Sequence, residues 1–230
     1  MSHRRDVRQA VLLSAFLVVY GNAKSALVGD APEGVPLGVG FGLLLTGLMA
    51  LWARYVLRLD RDELGLANAR ARQSLIWGLI VTLVVLALTQ LGARLAPAGS
   101  LADSVPRSLL RLSDEQVLRR IGFMLPFDTA LPEEVAFRGV LLAALRRRYT
   151  AVPAVVLAAI PFALWHVVLT GLETERRDPL LLIGKLGADF TGGLWFGFLR
   201  VRTGHLAGGV LAHWLIDAGL MLGARANQTG

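Results

Sequence analysis

Residues 132–138 read PEEVAFR, and they place two carboxylates and a guanidinium inside an otherwise apolar stretch. Residues 122–127 read GFMLPF and residues 139–145 read GVLLAAL. A short connection, residues 128–131, separates GFMLPF from the charged stretch. Charged side chains in hydrocarbon are costly, so they usually pair, face the protein interior and mark a functional site. On a soluble helix the same pattern would favour an acidic first turn with a surface ion pair. The membrane character of the chain therefore decides between these two interpretations.

Helical geometry separates the roles of the two glutamates. Pro132 suits the first position of a helix, which would put both glutamates in its first turn. Glu134 and Arg138 are four residues apart and can pair along one face. Glu133 points about 100° away from Glu134 around the helix axis. We therefore interpret Glu134 as the structural partner of Arg138, and Glu133 as a base that is free for chemistry.

The composition predicts an integral membrane protein. The 230 residues are 54% hydrophobic, with a mean hydropathy of +0.56, which is too apolar for a typical soluble domain. Several runs approach the roughly 20 apolar residues that a bilayer span needs. Helices satisfy their own backbone groups in lipid, so the fold class is all-α. The chain contains no cysteine, which excludes disulfides, thiol nucleophiles and cysteine-ligated metals.

The hydropathy pattern predicts one polytopic domain over residues 1–230, with about seven transmembrane helices and one amphipathic helix at the interface. The amphipathic helix is expected over Arg107–Arg120, where leucines alternate with charges. The predicted spans are roughly Arg8–Val28, Val35–Tyr55, Ser74–Leu95, the PEEVAFR segment as far as Arg146–Arg148, Ala151–Thr170, Leu180–Leu199 and His205–Leu222. Five glycines in the sixth span are expected to allow close helix contacts, namely Gly184, Gly187, Gly192, Gly193 and Gly197.

The positive charge follows the predicted spans and does not indicate nucleic-acid binding. The net charge is +7, and nearly all of the 24 basic residues are arginines that cluster between apolar segments. The positive-inside rule then places the N-terminus in the cytoplasm. Residues 1–8 are basic and lead into an apolar run without a clear cleavage site, so we expect a retained first span in the cell (inner) membrane.

Four ionisable residues from three predicted spans fall at a similar depth, in the outer half of the bilayer. They are Glu133, His166, His213 and Asp217. A buried carboxylate beside a histidine can hold and deprotonate a water, and a second histidine can stabilise an oxyanion. The sequence therefore predicts one polar cavity suited to amide hydrolysis inside the membrane. Asp189 is a further intramembrane acid, and it is expected either at the site or bonded to a neighbouring helix. Phe162, four residues before His166, is a further candidate site residue.

Other chemistries have less support in the sequence. Glu133, His166 and His213 could supply three zinc ligands, but no His-Glu-x-x-His signature is present. No Gly-x-Ser-x-Gly elbow marks a serine nucleophile, and no glycine-rich loop follows a strand. We therefore expect no cofactor and no metal, and keep a zinc-dependent protease as an alternative.

Three motifs in this order resemble those of the CPBP family, which includes the type II CAAX prenyl endopeptidases and the bacteriocin-processing or self-immunity proteins, also called Abi. The likeness covers roughly Leu125–Leu222 and includes the segment Gly197–His205. The motifs are Glu133-Glu134-x-x-x-Arg138, Phe162-x-x-x-His166 and His213-x-x-x-Asp217.

The resemblance implies a role for each matched position. Glu133 and His166 would activate water, and Glu134 with Arg138 would hold the site together. His213 would stabilise the oxyanion with Asp217, where the prenyl-protein enzymes have asparagine. An ionised Asp217 would oppose an oxyanion, so it must be protonated, orient His213 or bind a cation. Residues 124–222 would form the catalytic core, and residues 1–96 would be family-variable helices that select the substrate.

The sequence thus favours an intramembrane endopeptidase that cleaves a peptide or protein at the lipid bilayer. The substrate would be a membrane-associated, lipidated, secreted or C-terminally anchored protein. A non-catalytic bacteriocin self-immunity protein or scaffold is the main alternative. The sequence predicts neither the cleavage site nor the oligomeric state.

Overall fold

The computed structural model describes residues 2–28, 35–95, 112–173 and 179–229, and the regular structure within these ranges is entirely helical. The predicted all-α fold class is therefore confirmed for this part of the chain. We number the helices in chain order. They are α1 (Ser2–Val28), α2 (Val35–Leu51, continued by a π-helical turn, Trp52–Leu57), α3 (Ala71–Leu95), α4 (residues 114–146), α5 (Ala151–Trp165), α6 (Val167–Glu173), α7 (Pro179–Thr203) and α8 (Ala207–Thr229).

The helices are those of a multi-pass membrane protein. Four of the described helices are long and apolar enough to cross a bilayer, and α5 is apolar but shorter. The four candidate spans are Asp6–Val28, Leu37–Leu57, Ala71–Gly92 and Ala207–Ala226. They carry outward-facing leucine, isoleucine and valine side chains, as expected of surfaces that contact lipid. The total of seven spans and the cytoplasmic N-terminus stay predictions.

Helix α4 is one continuous helical run that alternates between α- and π-helical hydrogen bonding. Ser113 caps its start, where the hydroxyl accepts from the Gln116 N–H and the Gln116 side chain accepts from the Ser113 N–H. Its segments are Asp114–Arg119 (α), Arg120–Ala130 (π), Leu131–Glu133 (α), Glu134–Leu141 (π) and Leu142–Arg146 (α). The predicted interfacial helix therefore runs directly into the PEEVAFR segment from Asp114 onward, while residues 107–111 lie outside the described residues.

Pro132 does not begin a helix, contrary to the prediction from sequence. Ala130 already has right-handed helical dihedrals, and the helix continues through Pro132 without interruption. The helix is wider just before Pro132, where the Leu131 N–H bonds the carbonyl of Pro126, five residues earlier. Both glutamates consequently lie in the middle of a long helix. Side chains, and not the dipole of a helix N-terminus, must compensate their charges.

The main core lies where α1, α2, α4 and α5 meet. Phe137 of α4 is completely buried at its centre, and its ring makes edge contacts with Phe162 and Trp165 of α5. Leucines and a methionine from α1 and α2 fill the opposite side. These side chains are Leu13, Leu17, Leu45 and Met49. The core thus fixes the helix that carries the glutamates against the helix that leads to His166.

Small residues set the distances to the remaining helices. A Cβ on Gly193 of α7 would lie 3.1 Å from the Cα of Ala159 in α5, and one on Gly197 would lie 2.7 Å from a Val155 methyl carbon. These two glycines therefore allow the close contact that was predicted for them. The prediction is wrong for the other three glycines, because nothing lies within 4 Å of a Cβ at Gly184, Gly187 or Gly192.

Helix α8 is fixed to α3 through Ser74. The Ser74 hydroxyl accepts a hydrogen bond of 2.9 Å from the Gly208 N–H and donates one of 3.0 Å to the His205 carbonyl. A Cβ on Gly208 would overlap the Ser74 carbonyl oxygen, so the two backbones meet directly. This contact sets the position of the first turn of α8, one and a half turns before His213.

Candidate active site

The charged residues of α4 are almost completely shielded. Glu133 is 2% exposed, Glu134 is 0% exposed and Arg138 is 2% exposed. Nη1 of Arg138 lies 3.1 Å from Oε1 of Glu134, in the ion pair that their spacing predicted, although without the angles of a hydrogen bond. Nη2 of the arginine donates a long hydrogen bond of 3.4 Å to the Gly193 carbonyl. Such a pair is costly to bury, so other groups must stabilise it.

Aromatic rings supply part of that stabilisation. The guanidinium carbon of Arg138 lies 4.0 Å from the ring centroid of Phe162 and 5.2 Å from that of Phe196. Phe196 also stacks on the imidazole of His213, with ring centroids 4.9 Å apart. Phe162 was predicted as an additional site residue, whereas Phe196 was not. Its only sequence signal is its place among the small residues of α7.

His166 lies at a break between α5 and α6. Its backbone dihedrals are φ −93° and ψ 1°, outside the regular helical values. Its Nδ1 lies 2.9 Å from the carbonyl oxygen of Phe162, which can only accept, so Nδ1 carries the proton. Nε2 faces Oε2 of Glu133 at 3.7 Å. Asp189 is close as well, with Oδ2 4.0 Å from Nδ1.

His213 contacts both glutamates from α8. Its Nδ1 lies 3.2 Å from Oε1 of Glu134, and its Nε2 lies 3.9 Å from Oε2 of Glu133. Oδ2 of Asp217, one turn further along α8, is 3.7 Å from the same Nε2. Glu134, and not Asp217, therefore engages the Nδ1 side of the ring. Asp217 shares the opposite nitrogen with Glu133.

These contacts converge on one atom. Oε2 of Glu133 is buried, has no hydrogen-bond partner, and lies between the Nε2 atoms of His166 and His213. Buried polar atoms are nearly always hydrogen-bonded, and exceptions in proteins are often found at catalytic sites. The separations of 3.7 and 3.9 Å exceed direct hydrogen bonds, and a small polar molecule bonded to all three atoms is compatible with them.

The structure brings the six main predicted site residues together from three elements. Glu133, Glu134 and Arg138 come from α4, His166 comes from the break after α5, and the last two come from α8, namely His213 and Asp217. The side chains of Asp189 and Asp217 are 30% and 32% exposed, whereas those of the two glutamates are nearly inaccessible. The cluster is therefore open on the side that carries the two aspartates.

Gly209 is a second residue that the sequence interpretation missed. It lies four residues before His213, and a Cβ there would lie 2.6 Å from Oε2 of Glu134. The glycine thus gives Glu134 room to reach the imidazole. A small residue one turn before a predicted site histidine is a weak signal, but it could have indicated this close approach.

The zinc alternative was based on Glu133, His166 and His213. Within the described residues, no group of three or more histidine, cysteine or carboxylate side chains meets the geometry of a metal site. Zinc ligands lie about 2.0–2.2 Å from the ion when they are nitrogen or oxygen atoms. The distances from Oε2 of Glu133 to the two histidine Nε2 atoms, 3.7 and 3.9 Å, are longer than the roughly 3.4 Å between ligand atoms in a tetrahedral site with such bond lengths. Metal binding here would need the side chains to move closer.

Comparison with known proteins gives one match. Residues 118–219 match the family model described as type II CAAX prenyl endopeptidase Rce1-like. The match covers just under half of the 230 residues and includes every residue of the cluster around Glu133. No curated protein and no solved structure matches the chain.

Proposed function

We propose that the protein is an intramembrane endopeptidase of the Rce1-like CAAX protease family, whose model residues 118–219 match, and that it uses Glu133 and His166 to activate water. One observation carries the proposal. The Glu133 carboxylate oxygen Oε2 is buried without a hydrogen-bond partner and faces the Nε2 atoms of two histidines, at 3.7 and 3.9 Å. A base in this position can take a proton from a water that both imidazoles also contact.

The first step is the attack of water on the scissile carbonyl carbon. Glu133 accepts one proton from the water, and the unprotonated Nε2 of His166 accepts a hydrogen bond from the other hydrogen. A bond forms between the water oxygen and the carbonyl carbon, and the carbonyl electrons move onto oxygen. The carboxylic acid form of Glu133 then donates its proton to the amide nitrogen as the carbon–nitrogen bond breaks.

His213 is the proposed oxyanion stabiliser. Its Nδ1 faces Glu134, whose ion pair with Arg138 keeps the carboxylate an acceptor, so Nδ1 carries a proton. To donate to an oxyanion, Nε2 must carry a second proton, so the active form is the imidazolium. Asp217 stabilises this cation from the open side. Of the three roles considered for Asp217, this one is the orientation of His213. The aspartate acts at Nε2 of the ring.

The proposed substrate is a protein held at the membrane. The cluster opens past Asp189 and Asp217 while the surrounding helices face lipid. A peptide segment next to a lipid, a secretory leader or a C-terminal apolar anchor could enter from that side. The N-terminal helices outside the family match would contribute to selecting it.

The replacement Glu133→Gln tests the proposal. Proteins from membranes that contain the wild type or the variant are compared by mass spectrometry for new chain termini, and the cleavage is then reproduced with purified protein in liposomes. General-base loss should reduce the rate by about 100- to 10,000-fold while the thermal midpoint stays close to that of the wild type. The matched control is Glu63→Gln, which lies far from the cluster.

Three outcomes separate the alternatives. Cleavage that persists in Glu133→Gln contradicts the proposed base. A biological effect, such as immunity to a bacteriocin, that persists without cleavage supports a scaffold. Stoichiometric zinc in the purified protein, together with chelator sensitivity, supports the zinc-dependent alternative with Glu133, His166 and His213 as ligands.

A further inference from the structure

The break at His166 separates two backbone groups that a regular helix would join. In an uninterrupted α-helix the Val168 N–H would bond the carbonyl of Leu164, four residues earlier. Here the side-chain amide of Asn22 is inserted between them. Its Nδ2 donates a hydrogen bond of 2.8 Å to the Leu164 carbonyl, and its Oδ1 accepts one of 2.7 Å from the Val168 N–H. Helices kink where a side chain enters the hydrogen-bond ladder in this way.

The opened ladder changes the partners of His166. Its backbone N–H bonds the carbonyl of Ala163 at 3.1 Å, and not that of Phe162, four residues earlier. The Phe162 carbonyl is thereby left for the imidazole, and it accepts the 2.9 Å hydrogen bond from Nδ1. That bond fixes a proton on Nδ1, so that Nε2 is the unprotonated nitrogen of the neutral imidazole, and Nε2 faces Glu133.

Other contacts of α1 hold Asn22 in place. Gly21 accommodates the ring of Trp165, since a Cβ there would overlap the indole. Tyr20 stacks on the same ring, with centroids 6.0 Å apart. Two residues after Asn22, Lys24 pairs with Asp128 of α4 at 2.5 Å and also donates to the Asp128 carbonyl. Helix α1 thus contacts both the helix that carries Glu133 and the break that carries His166.

We infer that Asn22 is a positioning residue of the active site, which opens the α5–α6 helix and thereby orients His166 toward Glu133. The inference rests on the proposed function for its catalytic consequence, but the structural part stands independently of it. Asn22 lies outside the matched segment 118–219. The N-terminal helices, which were predicted to serve substrate selection, then also supply part of the catalytic geometry.

The test replaces Asn22 by leucine, which cannot bridge the two backbone groups. The Val168 N–H and the Leu164 carbonyl should then bond each other, the His166 N–H should return to Phe162, and Nδ1 should lose its acceptor. The chain has four histidines, so ¹⁵N NMR of histidine-labelled protein can resolve the rings, with His166→Gln for assignment. We expect one Nδ1–H tautomer for His166 in the wild type and a mixture in Asn22→Leu.

Catalysis gives the second readout. With the cleaved substrate, kcat should fall by about 10- to 100-fold in Asn22→Leu, as for other misplaced catalytic groups, while KM changes little. Ser25→Ala, on the same helix, is the matched control and should leave kcat and the tautomer unchanged. A variant that merely loosened α1 would lower the thermal midpoint without altering the tautomer.

A rescue variant keeps the test decisive if Asn22→Leu folds poorly. Val168→Pro removes the N–H that would close the ladder, at the second residue of α6, where proline is tolerated. Adding it to Asn22→Leu should restore the open break, the single tautomer and part of kcat. An unchanged His166 tautomer in folded Asn22→Leu overturns the inference. If the His166 tautomer changes in Asn22→Leu but the wild type cleaves no substrate, the result contradicts the proposed function alone.

Discussion

Two glutamate–arginine pairs in the protein differ in their exposure and in how completely their polar atoms are hydrogen-bonded. Arg147, which follows α4, pairs with Glu63 through two parallel hydrogen bonds, from Nε to Oε1 at 2.6 Å and from Nη2 to Oε2 at 2.7 Å. It also donates to the carbonyls of Leu57 and Arg58, so it joins the ends of α2 and α4. Its side chain is 33% exposed and that of Glu63 is 31% exposed.

The pair inside α4 is less well satisfied although it is buried. Glu134 and Arg138 share one contact of 3.1 Å, and both Oε2 of the glutamate and Nη1 of the arginine lack hydrogen-bond partners. Burial makes each missing hydrogen bond more costly than it would be at the surface. The comparison indicates that the outer pair is optimised for stability. The inner pair instead carries a cost in free energy, and Oε1 of Glu134 also contacts Nδ1 of His213.

The largest expected difference is in the unfolding free energy lost when each arginine is replaced. Arg138→Met should lower the free energy of unfolding by about 3–5 kcal/mol, because it leaves the Glu134 carboxylate buried and unpaired. Arg147→Met should cost about 1 kcal/mol or less, since water can solvate Glu63. Unfolding in mixed detergent micelles measures both. The double variant Glu134→Gln/Arg138→Met should be less destabilised than Arg138→Met alone, and equal costs for both arginine variants would contradict the comparison.

A smaller loss of stability is expected when a neighbouring residue is enlarged so that it presses on the buried pair, while both charges are retained. Gly209→Ala places a Cβ 2.6 Å from Oε2 of Glu134, whose other contacts leave it little freedom to move. We expect a loss of about 1–3 kcal/mol in unfolding free energy, together with lower peptidase activity, because Glu134 must move away from His213. Gly47→Ala is the control, since nothing lies within 4 Å of a Cβ at that position. Equal stability and activity in the two variants would argue against a fixed Glu134.

The smallest effect belongs to the outer pair and depends on pH. Hydrogen bonding to Arg147 holds the pKa of Glu63 below its ordinary value. A lowered folded-state pKa contributes stability that is fully present above the unfolded pKa of about 4.3 and is lost as pH falls through the folded value. Glu63→Gln should therefore cost about 0.2–1 kcal/mol at neutral pH, and the difference from the wild type should shrink below pH 4.3. A difference that is constant over this range would show that the carboxylate charge has no role.

Local spacing was sufficient to predict the contacts within one helix. The Glu134–Arg138 and His213–Asp217 pairs follow from separations of four residues, and both are present. Small size was a weaker guide, since only Gly193 and Gly197 of the five glycines predicted to make close contacts in α7 do so. The all-helical membrane fold followed from apolar run lengths. These features depend on residues that are close in the sequence or on average composition, which is why they could be predicted.

The meeting of Glu133, His166 and His213 was predicted from their similar depth and from the family motifs. Other contacts between distant helices could not be predicted. Asn22 and Val168 are separated by most of the chain, and nothing in the first helix indicates that its amide enters another helix. Phe196 and Gly209 are ordinary membrane residues until their neighbours are known. The start predicted at Pro132 was wrong, because proline commonly opens a helix, whereas here the residues before it are already helical from Asp114 onward.

The alternation along α4 affects how any related sequence should be compared with this one. Each π-helical turn advances the chain by more residues than an α-helical turn, so a face assigned with the usual period of about 3.6 residues shifts where the helix widens. Between 120 and 141 the helix widens twice. An insertion or deletion of one residue in this interval can be absorbed as a change in winding, which keeps the buried faces on both sides of it. If it is not absorbed, it rotates one side of the helix by about 100° relative to the other. A related sequence with a different number of π-helical turns therefore needs a one-residue gap here for the same residues to be assigned to the interior.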